Sequence, residues 1–187
     1  MSQYCLLLAR RVGFDEEKSH QIRVASQMHD IGKIGIPDEI LLKPGKFTPE
    51  ERSIMEGHAA IGHQILGDSE SKLLQLAASI ALHHHERIDG KGYPNRLAGT
   101  AIPVEGRIAA IADVFDALTT DRVYRKAFPV ATALSMLREG RGTQFDADLL
   151  EVFFDLLPEV LTERERLQDR EGSHHAALQR AGERSSR

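Results

Sequence analysis

The chain has 187 residues, 24 basic and 28 acidic side chains, a formal net charge of −4 and 41% hydrophobic residues. Those figures fit one globular domain with a short extension. They leave no stretch of roughly 20 apolar residues to cross a bilayer and no net positive charge that would suit duplex nucleic acid. A single cysteine, Cys5, rules out a disulfide framework and a thiolate-rich zinc site. The start, MSQYCLLLARR, lacks the basic lead-in and small-residue cleavage pattern of a secretory signal, so a cytoplasmic protein is expected.

Residues Ser2 to Val12, apolar at Tyr4, Leu7, Leu8 and Val12, predict a helix that stops at Gly13, with nothing to cap its start. Asp15 can cap a second helix, in which Ile22, Ala25, Met28 and Ile31 are spaced as one buried stripe. Gly32, Gly35 and Pro37 end it and open a loop to about Phe47. Thr48-Pro49-Glu50-Glu51 joins a capping threonine, proline at the first helical position and a glutamate three residues on. That helix is expected to reach about Gly67, and the next to run from about Ser71 to Glu86. Glycines and prolines make Asp89 to Pro103 a loop. Helices then follow over about Val104–Thr120, Val130–Glu139 and Ala147–Leu157. No strand pattern or internal repeat is present, and from Thr162 to Arg187 alternating charges predict a solvated tail. The expected fold is all-α, a bundle of six or seven helices over residues 1–160, followed by a charged, partly disordered extension over 161–187.

Nine histidines are the unusual count, and their placement carries the chemistry. His83-His84-His85-Glu86 ends an apolar helix and leads into Asp89-Gly90-Lys91-Gly92-Tyr93-Pro94. Neighbouring helical residues point about 100° apart. Two adjacent imidazoles therefore serve two ions, or the second leaves the helix axis as the turn unwinds. Asp113 and Asp116 lie in a helix otherwise apolar from Ile108 to Leu118, where a carboxylate is expensive unless paired or bound to metal. Being three residues apart they share a face, so one can bind an ion while the other orients a ligand or a water. With His29-Asp30 and His58 these residues form an imidazole–carboxylate set, which suits iron or manganese at least as well as zinc. Two ions about 3.5–4 Å apart can clamp a phosphate ester, and Lys33, Arg122 and Arg125 supply cationic groups around it.

The runs His29-Asp30-Ile31-Gly32-Lys33-Ile34-Gly35-Ile36-Pro37 and His84-His85-Glu86-Arg87-Ile88-Asp89-Gly90-Lys91-Gly92-Tyr93-Pro94 resemble the HD-GYP domain. So does Asp113-Val114-Phe115-Asp116-Ala117-Leu118-Thr119 followed by Arg122-Val123-Tyr124-Arg125, and the resemblance extends from Tyr4 to about Leu157. It implies a helical fold of the HD superfamily and a bacterial signalling phosphodiesterase that hydrolyses cyclic di-GMP to pGpG or GMP. Two divalent ions, three in some members, are implied, commonly iron or manganese. By position the implied metal ligands are His29, Asp30, His58, His84, His85 and Asp113. Lys33 matches the lysine beside the reaction centre, Arg122 and Arg125 match residues that hold substrate phosphates, and Asp116 matches a carboxylate behind the ligands. Gly92-Tyr93-Pro94 matches the signature loop that shapes the pocket and docks partners such as diguanylate cyclases. His20, His63, His83, His174 and His175 are assigned no role.

One departure stands out. The family's first helix carries a further histidine ligand, preceded in three-metal members by a glutamate, and both positions fall ahead of Met1. The expectation is a native start upstream, where a receiver or sensor domain would also lie; failing that, one weakened metal site and poor catalysis. The alternative function is a catalytically weak module that binds a cyclic dinucleotide or docks a cyclase. A general HD-type nucleotidase is disfavoured by the glycine-tyrosine-proline loop.

Overall fold

A computed structural model describes residues 1–121 and 126–167. Helix α1 (Ser2–Arg11) packs against α2 (Glu16–Ala25), whose N-terminus is capped by Asp15 accepting from the Lys18 N–H. A one-turn helix α3 (Asp38–Leu41) precedes α4 (Pro49–Glu56), α5 (His58–Gly67) and α6 (Lys72–His83). After a long loop come α7 (Val104–Thr119), α8 (Val130–Glu139) and α9 (Ala147–Asp155). Among the described residues there is no strand, and two isolated bridges, Asp89 with Ala98 and Arg141 with Phe145, pin loops. The all-α expectation holds, with more and shorter helices than the sequence periodicity predicts.

The core lies among α1, α2, α6, α7, α8 and α9 and is filled by Tyr4, Leu8, Ile22, Ile80, Ile111, Phe115, Leu137, Leu150 and Phe153. Tyr4 meets Phe115 edge-on at 5.5 Å, and Phe115 meets Phe153 at 5.1 Å, so α1, α7 and α9 share one aromatic seam. Residues 157–167 are helical as well, with Val160 fully buried and the Arg164 guanidinium donating to the Thr119 carbonyl at 3.1 Å. Regular structure therefore continues past Thr162, where the sequence predicts a tail.

Three differences from the periodicity reading matter for the site. The second helix ends at Ala25, not near Ile31: Ser26 bonds back to the Arg23 carbonyl and the chain tightens into 3₁₀ turns at Ser26–Met28 and Ile31–Gly35. Ile31 is accordingly 39% exposed instead of closing a buried stripe. The Thr48 helix keeps its reciprocal capping box but breaks at Gly57, which makes His58 the first residue of α5. The helix after Ser71 ends at His83, so His84 and His85 lie in the unwinding turn.

Candidate metal centre

Each break presents a candidate ligand. The 3₁₀ turn Ile31–Gly35, which directly follows His29 and Asp30, lies on the first turn of α5 because two glycines let the backbones touch. A Cβ on Gly32 would stand 2.0 Å from the His58 carbonyl oxygen and 2.4 Å from the Gly62 nitrogen. Asp113 reaches the same point from the middle of α7, and His84 and His85 from the end of α6.

The six expected ligands converge. Asp30, His58, His84 and His85 each offer a ligand atom within 4.8 Å of all the others. His29 Nε2 lies 3.4 Å from Asp30 Oδ2 and 3.6 Å from Asp113 Oδ1. Asp30 sits between two sides: Oδ2 faces His29 and the Lys33 ammonium, the latter at 2.6 Å, while Oδ1 faces His58 at 3.4 Å and His84 at 3.9 Å.

The hydrogen bonds at the back of the rings fix what faces inward. A carbonyl can only accept, so Nδ1 carries the proton in each ring that bonds to one. His29 Nδ1 donates to the Ser26 carbonyl at 2.9 Å, His58 Nδ1 to Met55 at 2.7 Å, and His84 Nδ1 to Ala81 at 2.9 Å. His58 and His84 are each 2% exposed, and their Nε2 atoms have no hydrogen-bond partner. A bare imidazole lone pair 3.4 Å from a carboxylate oxygen, with no proton between them, is repulsive. A cation removes that repulsion. The donors present therefore fit a divalent metal ion, and the outward Nδ1–H bonds are the supports that metal-bound histidines use.

Protonation follows the same logic. Burial, then the neighbouring His29, lowers His84 to about 4; burial and the adjacent His84 lower His85 to about 2. His58 is also lowered, chiefly by burial. Three imidazoles are thus neutral, which is the ligating form. Burial opposes charge on His29 too, but the Asp113 and Asp30 carboxylates override it and raise the ring to about 10. Against the same burial, His29 holds Asp113 below the ordinary carboxylate range, and His29 with Lys33 holds Asp30 there. Without metal, a proton on His29 supplies the positive charge between two anions.

The other expected residues divide. Tyr93 packs its ring on His85 with centroids 4.7 Å apart, and Pro94 follows through a cis peptide bond. Gly92 lies against the main chain of residues 85–87. Asp116 is not brought into the cluster: it accepts from the Met1 amino group at 2.6 Å and lines a separate cavity of about 540 Å³ with Tyr4 and Arg164. Residues three apart on a helix diverge by about 60°, enough to send Asp113 inward and Asp116 toward the start of α1. Arg122 and Arg125 lie outside the described residues, as do His174 and His175. His20 pairs with Glu16, while His63 and His83 donate to the carbonyls of Ala78 and Ser79.

Sequence reasoning gives no role to Glu86. It is 3% exposed and its carboxylate accepts from the main-chain N–H groups of Asn95 and Leu97. The available signal was an acidic residue directly after a histidine pair and before a glycine-rich loop, which is where loop amides lack partners.

The sequence model of the HD domain matches residues 1–149. The cyclic di-GMP phosphodiesterase response regulator RpfG of Xanthomonas campestris pv. campestris is 49% identical over 146 residues, covering 78% of this chain and 39% of RpfG. The 3′3′-cGAMP-specific phosphodiesterase 2 of Vibrio cholerae is 43% identical over 166 residues, covering 89% of this chain and 32% of that protein. Among solved structures, Bd1817, an HDG"Y"P protein from Bdellovibrio bacteriovorus, superposes with a TM-score of 0.65 at 21% identity, over 84% of this chain and 50% of that one. The last likeness is one of fold. The chain spans less than half the length of these curated relatives. With the family match extending from the first residue through α8 and the His29-Asp30 pair at the centre of the ligand cluster, this chain belongs to the HD domain family, in its HD-GYP branch.

Proposed function

We propose that the chain is the catalytic domain of a metal-dependent phosphodiesterase that hydrolyses a cyclic dinucleotide, cyclic di-GMP first, to pGpG or GMP. The observation that carries this reading is the pair of buried, unpartnered Nε2 lone pairs of His58 and His84 facing the Asp30 carboxylate. Relatives named as cyclic di-GMP and 3′3′-cGAMP phosphodiesterases support the substrate class. Two divalent ions, iron or manganese, suit a set with no thiolate and a carboxylate whose two oxygens face different imidazoles. His29, Asp30, His58, His84, His85 and Asp113 would hold them.

Such ions supply Lewis-acid stabilisation of the phosphoryl charge and orient substrate and leaving group. The chain's own residues do the rest. Lys33 stands half-exposed at the edge of the cluster, where its ammonium can meet a non-bridging phosphate oxygen once Asp30 is engaged. Arg122 and Arg125 are assigned the remaining phosphate contacts. The buried carbonyl-anchored rings stay in place through the reaction and need no reorganisation. The domain is assigned to residues 1–160, and an attached receiver or a cyclase docking on the Gly92-Tyr93-Pro94 loop fits the signalling role. Among the described residues no helix is long and apolar enough to cross a membrane, and we place the domain in the cytoplasm.

Purified protein incubated with cyclic di-GMP and Mn²⁺ or Fe²⁺ should yield pGpG or GMP on chromatographic separation. The double variant His29→Ala/Asp30→Ala should keep its helical circular dichroism and lose turnover by at least about 10³-fold. Turnover retained by that variant removes the metal-centre reading; binding without turnover by the native chain assigns it to the sensor alternative.

A further inference from the structure

We infer that Glu86 is a positioning residue for the His85 ligand, acting through the loop that carries Tyr93; the inference rests on the metal-centre reading above. His29, His58 and His84 are each aimed by a main-chain carbonyl that accepts from Nδ1. His85 is different. Among the described residues no hydrogen bond reaches its ring, which is flanked instead by His84 at 3.9 Å and by Tyr93 at 4.7 Å with a 31° tilt between planes. The Tyr93 ring packs on the face of His85, so this imidazole is braced by ring stacking where the other three are held by an Nδ1–H bond to a carbonyl.

Tyr93 belongs to an irregular loop, so its ring can brace His85 only if something holds the loop. Glu86 does so. Its carboxylate accepts from the Asn95 N–H at 2.7 Å and from the Leu97 N–H at 3.0 Å, one to each oxygen. A carboxylate buried this deeply is expensive unless its oxygens are satisfied, and charge-assisted bonds to amides are the strong kind. The loop is closed from the other side by the Tyr93 N–H donating to the His85 carbonyl at 3.3 Å. Gly92 completes the contact: a Cβ there would stand 2.4 Å from the Arg87 nitrogen and 2.6 Å from the His85 oxygen. One side chain therefore folds residues 92–97 back over the ligand turn from which it projects. The shape of the loop and the aim of His85 become a single property.

The test uses the whole chain, stripped of metal by chelation and titrated calorimetrically with Mn²⁺. Glu86→Gln, which can accept from only one of the two amides, and Glu86→Ala should bind Mn²⁺ about 10- to 100-fold more weakly, the range for losing an outer support of a ligand. Tyr93→Leu should lose a similar amount, and the ring-retaining Tyr93→Phe should recover most of it. In the metal-free protein, the Asn95 and Leu97 amides of Glu86→Gln should exchange faster while α6 and α7 keep native protection, which separates release of the loop from general unfolding. Native Mn²⁺ affinity in a Glu86→Gln protein whose two amides have been freed overturns the inference. So does a Tyr93→Phe variant as weak as Tyr93→Leu, and that pair decides the matter if Glu86→Ala does not fold. If the unsubstituted chain binds no Mn²⁺, the metal-centre reading itself falls; if it binds and every variant matches it, only the positioning role falls.

Discussion

The two places where a pair of candidate ligands leaves a helix, His29-Asp30 and His84-His85, solve one problem by different physics. At the first, the backbone itself makes the contact. Gly32 and Gly62 remove two side chains, and the 3₁₀ turn seats on α5 so closely that main-chain atoms of Gly32 and His58 have no room for a methyl group between them. At the second, the contact is polar and reversible: a buried carboxylate collects two loop amides, and an aromatic ring is laid on the ligand. Steric seating tolerates no substitution but involves no buried charge. The carboxylate clamp accepts graded change, because each hydrogen bond can be removed separately.

That contrast can be broken by experiment. The largest effect is expected at the steric seat: Gly32→Ala should destabilise the chain by about 3 kcal/mol or more in urea unfolding, since the clash is with backbone on both sides and neither can swing away. Gly92→Ala is the matching insertion at the clamp. There the neighbours are also backbone, but a loop can lift from the turn, so a smaller loss of about 1–3 kcal/mol is expected. Equal losses at Gly32 and Gly92 would show that the loop is as rigid as the helix contact. A third site, remote from both, sharpens the scale. Asp146 caps α9 by accepting from the Asp148 and Leu149 N–H groups and pairs with Arg107. Asp146→Ala should cost about 1 kcal/mol.

The same residue gives a pH test. Burial acts to raise Asp146, but the Leu149 N–H and Arg107 together hold it lowered. A carboxyl lowered by folding contributes stability that is fully present above the ordinary carboxylate range of about 4 and is lost as pH falls through the lower folded value. The difference in unfolding midpoint between the parent and Asp146→Asn should therefore shrink at acid pH. The smallest effect is expected at Ile34, 80% exposed on the same 3₁₀ turn as Gly32. Ile34→Ser should change stability by no more than about 0.5 kcal/mol, which would show that the turn is held by one edge only.

The candidate ligands were legible in the sequence because a candidate is a matter of residue type and order. His29, Asp30, His58, His84, His85 and Asp113 could all be read before any geometry, and all six gather. Local signals with complete chemistry were legible too: the Asp15 cap and the Thr48–Glu51 capping box form as their residues dictate. What escaped is what the fold decides. Ala25, Met28 and Ile31 fall on one helical face, yet the helix stops at Ala25 and the chain goes on to seat Gly32 against α5, a contact between distant segments that local periodicity does not encode. Gly57 reads as an ordinary helix interruption until His58 is seen to need a new start. Glu86 carries no pattern of its own, since its partners lie 9 and 11 residues along and are main-chain groups common to any sequence. Where Asp116 lies was not legible either, because three-residue spacing fixes a direction only to within a sector and its carboxylate meets the Met1 amino group.

Helix α4 buries none of its side chains. It is tied to the rest by the Met55 carbonyl that accepts from His58 Nδ1, by the Lys43–Glu51 ion pair and by the short step across Gly57 into α5, which carries the candidate ligand His58. A stretch so placed is a natural handle. An engineered cysteine at the exposed Ser53 could carry a spin label or a fluorophore without touching the interior, five residues from His58. The protein thus offers its own observation post, on the exposed side of the helix whose Met55 carbonyl aims His58.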